Sequence, residues 1–242
     1  MSQDAPGIQK RVTVVLVRPE RPENIGLVAR SMKTTGFSRL RIVGKMPLDE
    51  KAHVTAVHAR GILDRARFFS SPEEAVSDLN VVFASTAKRR KNFAMLSLEE
   101  AIRKILDFSR STEVGLVFGT ERTGLTSEEL RNVNFCFTIP QATRQPSYNL
   151  GVAVGITLFE IWRASEKRPG APRMEKPLMW REQQALIARV LQNLEAEGFI
   201  HRTNRKHMSQ RISDLLGRLT LADRDRRLLL ALFSTRRKGG DG

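Results

Sequence analysis

The feature that most constrains the fold is a short apolar run near the amino end of the chain. Val12–Val17 reads VTVVLV and has no polar alternation beyond Thr13. Such a strand is buried on both faces, as in a parallel sheet with helices on both sides. Further strands are predicted at Arg39–Val43, Phe68–Phe69, Val81–Ala84, Val114–Phe118 and Phe135–Ile139.

Stretches with helical spacing of apolar residues alternate with these runs. The first is predicted to begin with Asn24 as its cap and to end at Gly36. The others are predicted at residues 50–60, after Pro72, and at Leu98–Phe108, Ser127–Asn132 and Asn149–Arg163. The alternation of strands and helices predicts an α/β fold with a parallel sheet flanked by helices.

The composition changes after this α/β pattern. The segment KRPGAPRMEKP holds three prolines and one glycine and is typical of a linker. Helical spacing without strand signals follows at Met179–Glu197, Met208–Leu219 and Leu221–Phe233. We therefore predict an α/β domain over residues 1–165, a linker over 166–178 and a small all-helical extension over 179–242.

The net charge of +15 indicates a polyanionic partner, and nucleic acid is the leading one. The part of the chain from Arg163 onward holds 18 Lys and Arg against 9 Asp and Glu, so its charge density is the higher. The extension is predicted to bind nucleic acid, to serve as a helical dimerisation arm, or to do both.

Several other classes of protein are disfavoured. The single cysteine, Cys136, lies in an apolar run, which favours a buried thiol and a reducing compartment. The amino-terminal residues do not resemble a signal peptide, and no run suits a membrane span, so we expect a cytoplasmic protein without a membrane partner. His53 and His58 lack the spacing of a zinc-binding H-E-x-x-H motif, and no metal site is predicted.

Two loops at strand ends are predicted to form one site. Gly119 and Gly124 follow one strand, and Ser147 and Asn149 follow the next. In open α/β sheets, ligands bind beyond the carboxyl ends of the strands. A nucleotide-hydrolysing P-loop is excluded because Leu125 stands where that motif needs a lysine.

Three motifs, taken together and in order, resemble the SPOUT class of RNA methyltransferases. The first runs from Asn24 through Ile-Gly to Arg30, and the second reads Phe-Gly-Thr-Glu-Arg-Thr-Gly-Leu with its acid at Glu121. The third combines Ile139-Pro with Ser-Tyr-Asn-Leu at residues 147–150. The resemblance covers residues 11–163, and the helical extension resembles that of the TrmJ-type subgroup.

The resemblance implies a trefoil-knotted fold, a homodimer and S-adenosylmethionine as cofactor. It also implies methyl transfer to a ribose 2′-hydroxyl of RNA, at position 32 of the tRNA anticodon loop for the TrmJ-type subgroup. Two alternatives stay open: the same chemistry on ribosomal RNA, and a non-catalytic RNA-binding module with this fold.

The same resemblance implies roles for individual residues. Arg30 is implied to help activate the hydroxyl; because a guanidinium keeps a high pKa, we expect it to act first as an orienting, electrostatic group. Tyr148 stands where such third motifs commonly carry leucine. The implied catalytic residues are Arg30, Asn24, Glu121, Ser147 and Asn149, and the implied cofactor-binding residues are Thr86, Gly119, Ile139, Pro146, Ser147, Tyr148 and Leu150.

The predicted RNA-binding residues follow from charge and position. Four consecutive cations come after a strand end beside the proposed site, and either a phosphate contact or a solvated loop explains them. The predicted RNA-binding residues are Lys88, Arg89, Arg90, Lys91 and Arg144.

Overall fold

A computed structural model describes residues 7–87, 95–143, 147–166 and 175–233. Its strands are β1 (Val12–Val17), β2 (Arg39–Val43), β3 (Arg67–Phe69), β4 (Val81–Ser85), β5 (Met95–Ser97), β6 (Val114–Phe118) and β7 (Phe135–Thr138). Its helices are α1 (Pro22–Thr35), α2 (Glu50–Ala56), α3 (Arg60–Asp64), α4 (Pro72–Val76), α5 (Leu98–Phe108), α6 (Leu150–Glu166), α7 (Trp180–Ala196), α8 (Arg205–Gly217) and α9 (Asp223–Leu232). Three 3₁₀ turns lie at Ile8–Lys10, Val57–Ala59 and Glu129–Asn132.

The strands form one parallel sheet in the order β3-β2-β1-β6-β4-β7-β5. This confirms the predicted parallel α/β fold. Strand β6 lies between β1 and β4, and β7 lies between β4 and β5, so the chain returns twice between strands formed earlier in the sequence. This order fits the knot that the resemblance implies. The sequence did not predict β5, which is only three residues long and lies at the sheet edge.

Strand β1 is buried over its whole length, as its apolar pattern predicts. Val14 and Leu16 face a core that is completed by α1, α2, α5 and α6. Val15 and Val17 face a smaller core on the other side of the sheet, which includes α4, Leu125 and the partly buried Trp180. Both faces of the sheet are therefore covered, and its carboxyl edge is left for a site.

Two helix predictions need correction. Asn24 does not cap α1: the helix begins at Pro22 after Arg21, which makes no side-chain cap bond, and the Asn24 side chain is turned inward. Residues 50–60 are helical as predicted, and they divide into α2, a 3₁₀ turn and the start of α3. The predicted helix Ser127–Asn132 is a 3₁₀ turn at Glu129–Asn132. The end of α1 at Gly36, with a φ of 83°, is as predicted.

The three carboxyl-terminal helices have a hydrophobic cluster of their own, which includes Leu186, Val190 and Leu216. They also contact the α/β part directly. The Trp180 amide donates to the Leu79 carbonyl at 2.8 Å, and Asn80 Nδ2 donates to the Pro177 carbonyl at 2.8 Å. The helical extension is therefore docked on the sheet face that holds the smaller core. In the part of the chain that is described, none of the helices has the length and apolar character needed to cross a membrane.

Candidate active site

A cavity of about 290 Å³ lies at the carboxyl ends of β4, β6 and β7. This volume is close to the lower end of the range for small-molecule sites, about 300 Å³. Six of the predicted cofactor-binding residues line it: Thr86, Gly119, Ile139, Ser147, Tyr148 and Leu150. The seventh, Pro146, lies outside the described residues. The two predicted loops therefore meet in one cavity, together with the loop that follows β4.

The loop after β6 folds back on itself. The Gly124 amide donates to the Thr120 carbonyl at 3.0 Å, and the hydroxyls of Thr120 and Thr123 are 2.8 Å apart. A Cβ atom at Gly119 would lie 2.3 Å from the Gly124 carbonyl carbon, and Gly124 has a φ of 68°. Glycine at 119 is thus required by close packing within the loop itself, a reason that the motif alone did not supply.

Asn24, Glu121 and Asn149 form one hydrogen-bonded network. Asn24 Nδ2 donates to Glu121 Oε1 at 2.7 Å, and Asn149 Nδ2 donates to Asn24 Oδ1 at 2.8 Å. Asn149 Oδ1 accepts from the amide of Gly151 at 2.9 Å, in the first turn of α6. The three motifs, which are far apart in sequence, are therefore joined side chain to side chain beside the cavity.

Arg30 does not line this cavity. Its side chain is exposed and its guanidinium makes no hydrogen bond or ion pair with any other described residue. On the same helix, Leu27 packs against Gly151 and Ser31 packs against Gly155, so α1 lies directly along α6 at this point. Of the predicted catalytic residues, Asn24, Glu121, Ser147 and Asn149 lie together within the protomer, whereas Arg30 faces solvent beside α6.

Tyr148 connects the two ends of the loop between β7 and α6. Its hydroxyl donates to the Pro140 carbonyl at 2.9 Å, while the residue also lines the cavity. A leucine at this position could pack but could not make this bond. The tyrosine therefore holds the loop rim next to the cavity.

Sequence reasoning missed a support of the site at Glu121 and an ion pair at the end of β1. The Glu20 amide donates to Glu121 Oε2 at 2.8 Å and so helps to orient that carboxylate. Arg18, at the end of β1, forms an ion pair with the buried Glu129 and has a φ of 49°, which is unusual for a residue other than glycine. Neither a backbone donor nor an unusual φ leaves a recognisable signal in a single sequence.

The predicted RNA-binding residues Lys88, Arg89, Arg90, Lys91 and Arg144 lie outside the described residues. In the sequence, the first four come shortly after β4, whose end borders the cavity. Their role stays a prediction.

Comparison with known proteins places the chain in a family. Residues 11–159 match the model of the SpoU rRNA methylase family. The chain is similar to the tRNA (cytidine-2′-O-)-methyltransferase TrmJ of Methanocaldococcus jannaschii, with 38% identity over 156 residues that span 62% of this chain and 67% of the relative. It is similar over almost its whole length to the tRNA (cytidine/uridine/adenosine-2′-O-)-methyltransferase TrmJ of Pseudomonas aeruginosa, with 32% identity and 96% of each chain covered.

A solved structure extends the likeness to the fold. The crystal structure of TrmJ from Z. mobilis matches with a TM-score of 0.77 and 28% identity, covering 92% of this chain and 97% of that one. The match includes both the α/β part and the helical extension, since either part alone is shorter than the span covered. The chain belongs to the SpoU rRNA methylase family.

Proposed function

We propose that this protein transfers a methyl group from S-adenosylmethionine to a ribose 2′-hydroxyl of tRNA. The observation that carries the proposal is the cavity at the carboxyl ends of β4, β6 and β7, bordered by the network of Asn24, Glu121 and Asn149. Family membership and the names of the TrmJ relatives support the reaction and the substrate class.

The residues of the cavity suit S-adenosylmethionine. Ile139, Leu150 and Ala153 offer apolar walls for an adenine ring, and the backbones of the loops after β6 and β7 offer polar groups at its edge. When bound, S-adenosylmethionine supplies an electrophilic methyl group on a sulfonium, and transfer is an in-line displacement that requires no metal. The work of the protein is therefore to position the hydroxyl and to assist departure of its proton.

The amide and carboxylate groups beside the cavity suit the positioning role. Glu121 is held by Asn24 and by the Glu20 amide, and Asn149 is fixed at the start of α6. In our proposal this network fixes the loop walls, Ser147 contacts the reactants, and Arg30 orients the hydroxyl and an adjacent phosphate. A guanidinium offers paired N–H donors in one plane, which suits a phosphate contact.

We propose that the protein is a homodimer that joins through α6. Val154, Leu158 and Ile161 of this helix are buried in the core, but Val152, Phe159 and Trp162 are 46%, 46% and 38% exposed. The rings of Phe159 and Trp162 are 5.7 Å apart and form one apolar surface next to α1. Pairing of two such surfaces would bring Arg30 of one protomer towards the cavity of the other, which accounts for its solvent position in a single chain.

The remaining predictions belong to the same proposal. The α/β domain over residues 1–165 would carry the chemistry, and the basic helical extension over 179–242 would contact tRNA, joined by the linker at 166–178. The anticodon loop at position 32 is the proposed target, and the cytoplasm is the proposed compartment.

The test compares unmodified tRNA with ribosomal RNA fragments as methyl acceptors, using wild type, Arg30→Ala and the exposed control Arg103→Ala. We expect wild type and the control to methylate tRNA at the same rate. We expect Arg30→Ala to transfer the methyl group at least a hundredfold more slowly while its binding of S-adenosylmethionine is unchanged. Methylation of ribosomal RNA alone would favour the first alternative. Failure of wild type to bind S-adenosylmethionine by calorimetry would favour the non-catalytic module.

A further inference from the structure

A second pocket, of about 230 Å³, lies at the opposite end of the sheet from the cavity. It is enclosed by the carboxyl end of α1, the following loop, the 3₁₀ turn at Val57–Ala59 and α3. Its polar lining consists of Lys33, Ser38, His58 and Arg65, and no carboxylate contributes to it. This composition presents hydrogen-bond donors and positive charge to whatever occupies the pocket.

The two cations of this pocket are not neutralised by a neighbouring carboxylate of the described residues. Arg18, Arg39 and Arg41 each pair with a carboxylate. By contrast, the side chains of Lys33 and Arg65 make no ion pair or hydrogen bond with other residues in the described ranges. Two unpaired cations that face one concave surface lower the electrostatic cost of binding an anion there.

The helix terminus at this pocket does not oppose an anion strongly. A helix carboxyl end carries partial negative charge on its last carbonyl groups. Here two of those carbonyls are occupied: the Gly36 amide donates to Lys33 O, and the Phe37 amide donates to Met32 O at 2.9 Å. The side-chain cations therefore dominate the local charge.

The position of the pocket connects it with the reaction. Arg30 and Lys33 are three residues apart on the exposed side of α1, so their side chains are neighbours on the helix surface, about 5–6 Å apart at Cβ. An RNA strand whose phosphate is held by Arg30 can thus continue along α1 to Lys33 and Arg65.

We propose that the pocket lined by Lys33, Ser38, His58 and Arg65 binds a phosphate group, and that this phosphate belongs to the backbone of the RNA substrate. The proposal rests on the proposed function for its ligand. Lysine and arginine make contacts to the phosphate backbone that position a nucleic acid without reading its sequence. The pocket would accordingly fix the register of the RNA and not the identity of the methylated base.

The test measures tRNA binding over a series of salt concentrations for wild type and for Lys33→Ala/Arg65→Ala. The matched control is Arg103→Ala/Lys104→Ala, which also removes two exposed cations but lies on α5, away from the pocket. We expect the pocket variant to bind tRNA about tenfold more weakly and to lower the slope of log K against log salt by about one, as for one lost phosphate contact. Binding of S-adenosylmethionine should be the same in all three proteins.

Equal tRNA affinity and equal salt slope in the pocket variant and the control would overturn the inference. Inorganic phosphate, titrated alone in thermal unfolding, separates the two sources of the anion. If phosphate stabilises wild type but not the pocket variant while tRNA binding is equal to that of the control, the RNA assignment is overturned in favour of free phosphate. The salt slopes of wild type and the pocket variant could differ as expected while wild type transfers no methyl group. In that case the proposed function fails, but the assignment of the pocket as a phosphate site of RNA stands.

Discussion

At the scale of single residues, Asn149 performs two tasks that one substitution can separate. Its Oδ1 accepts the Gly151 amide at the start of α6, and its Nδ2 donates to Asn24. Asn149→Asp keeps the acceptor, which suits a helix amino end, but removes the donor. We expect a melting temperature between those of wild type and Asn149→Ala, because the cap is kept but an acceptor oxygen now faces Asn24 Oδ1. Methyl transfer should fall at least tenfold, which corresponds to about 1.4 kcal/mol in the barrier.

Asn149→Ala is the companion variant, since it removes both tasks and should also lower the melting temperature. The two variants are compared by calorimetric melting and by kcat/KM. Full activity in Asn149→Asp would show that the bond from Asn149 to Asn24 has no part in transfer.

A second prediction at this scale concerns the pH dependence of folding. Arg41 is buried, and its guanidinium bonds to Asp78, with Nη2 2.9 Å from Oδ2. Burial raises the pKa of Asp78, but the hydrogen bonds and charge of Arg41 outweigh this effect, so the pKa is lowered overall. The pair should therefore contribute stability that is fully present above the usual carboxyl pKa of about 3.9 and is lost as the pH falls through the lowered value.

Urea unfolding at a series of pH values tests this linkage, with Asp78→Asn as the variant. The variant should be less stable at neutral pH, by roughly 1–3 kcal/mol because a buried donor loses its partner. The stability of the variant should also fall less steeply than that of wild type as the pH is lowered. If stability falls equally steeply in the variant and in wild type, the loss of stability at acid pH comes from other carboxylates.

At the level of elements, the docking of α7 on the α/β part couples the stability of the two parts, which the composition of the linker did not reveal. Trp180 packs on the smaller core of the sheet, and its amide bonds to Leu79. Trp180→Ala should lower the free energy of unfolding of the whole chain by about 2 kcal/mol, less than for a fully buried tryptophan. A loss confined to the helical extension, seen as a separate early transition with the α/β part unchanged, would contradict this coupling.

The exposed face of α6 carries the prediction for assembly. Phe159→Glu/Trp162→Glu places two charges on the proposed subunit contact and should yield monomers that transfer no methyl group yet remain folded. Val54→Glu, at a valine of α2 that is 61% exposed, is the matched control and should stay dimeric. Light scattering coupled to gel filtration measures both; a dimeric double variant would rule out this face as the contact.

At the scale of the whole molecule, apolar pattern and loop chemistry predict much of the fold. Val12–Val17 and Val114–Phe118 are strands with the predicted bounds, because fully apolar runs have few other stable environments. The order of the strands in the sheet could not be predicted, since it depends on where the later strands β6 and β7 insert between earlier ones. Asn24 was misplaced as a cap because an asparagine near a helix start usually serves there, whereas here Glu121 and Asn149 hold it inside.

The site, like the fold, could be predicted only in part from the sequence. The family resemblance identified six residues that line the cavity, five of them in the three motifs and Thr86 outside them. They meet there because loops at strand ends converge in a parallel sheet. The solvent position of Arg30 and the pocket around Lys33 and Arg65 depend on packing between helices, for which one sequence gives no signal.

The most direct test of the central claim is to locate the methyl group in the product. Unmodified tRNA is incubated with the protein and labelled S-adenosylmethionine, digested with nucleases and analysed by mass spectrometry. We expect a single methyl group on a ribose of the anticodon loop, at position 32. A methyl group on a base would contradict the claim that this site methylates a 2′-hydroxyl; one on another ribose would keep the chemistry and discard the position.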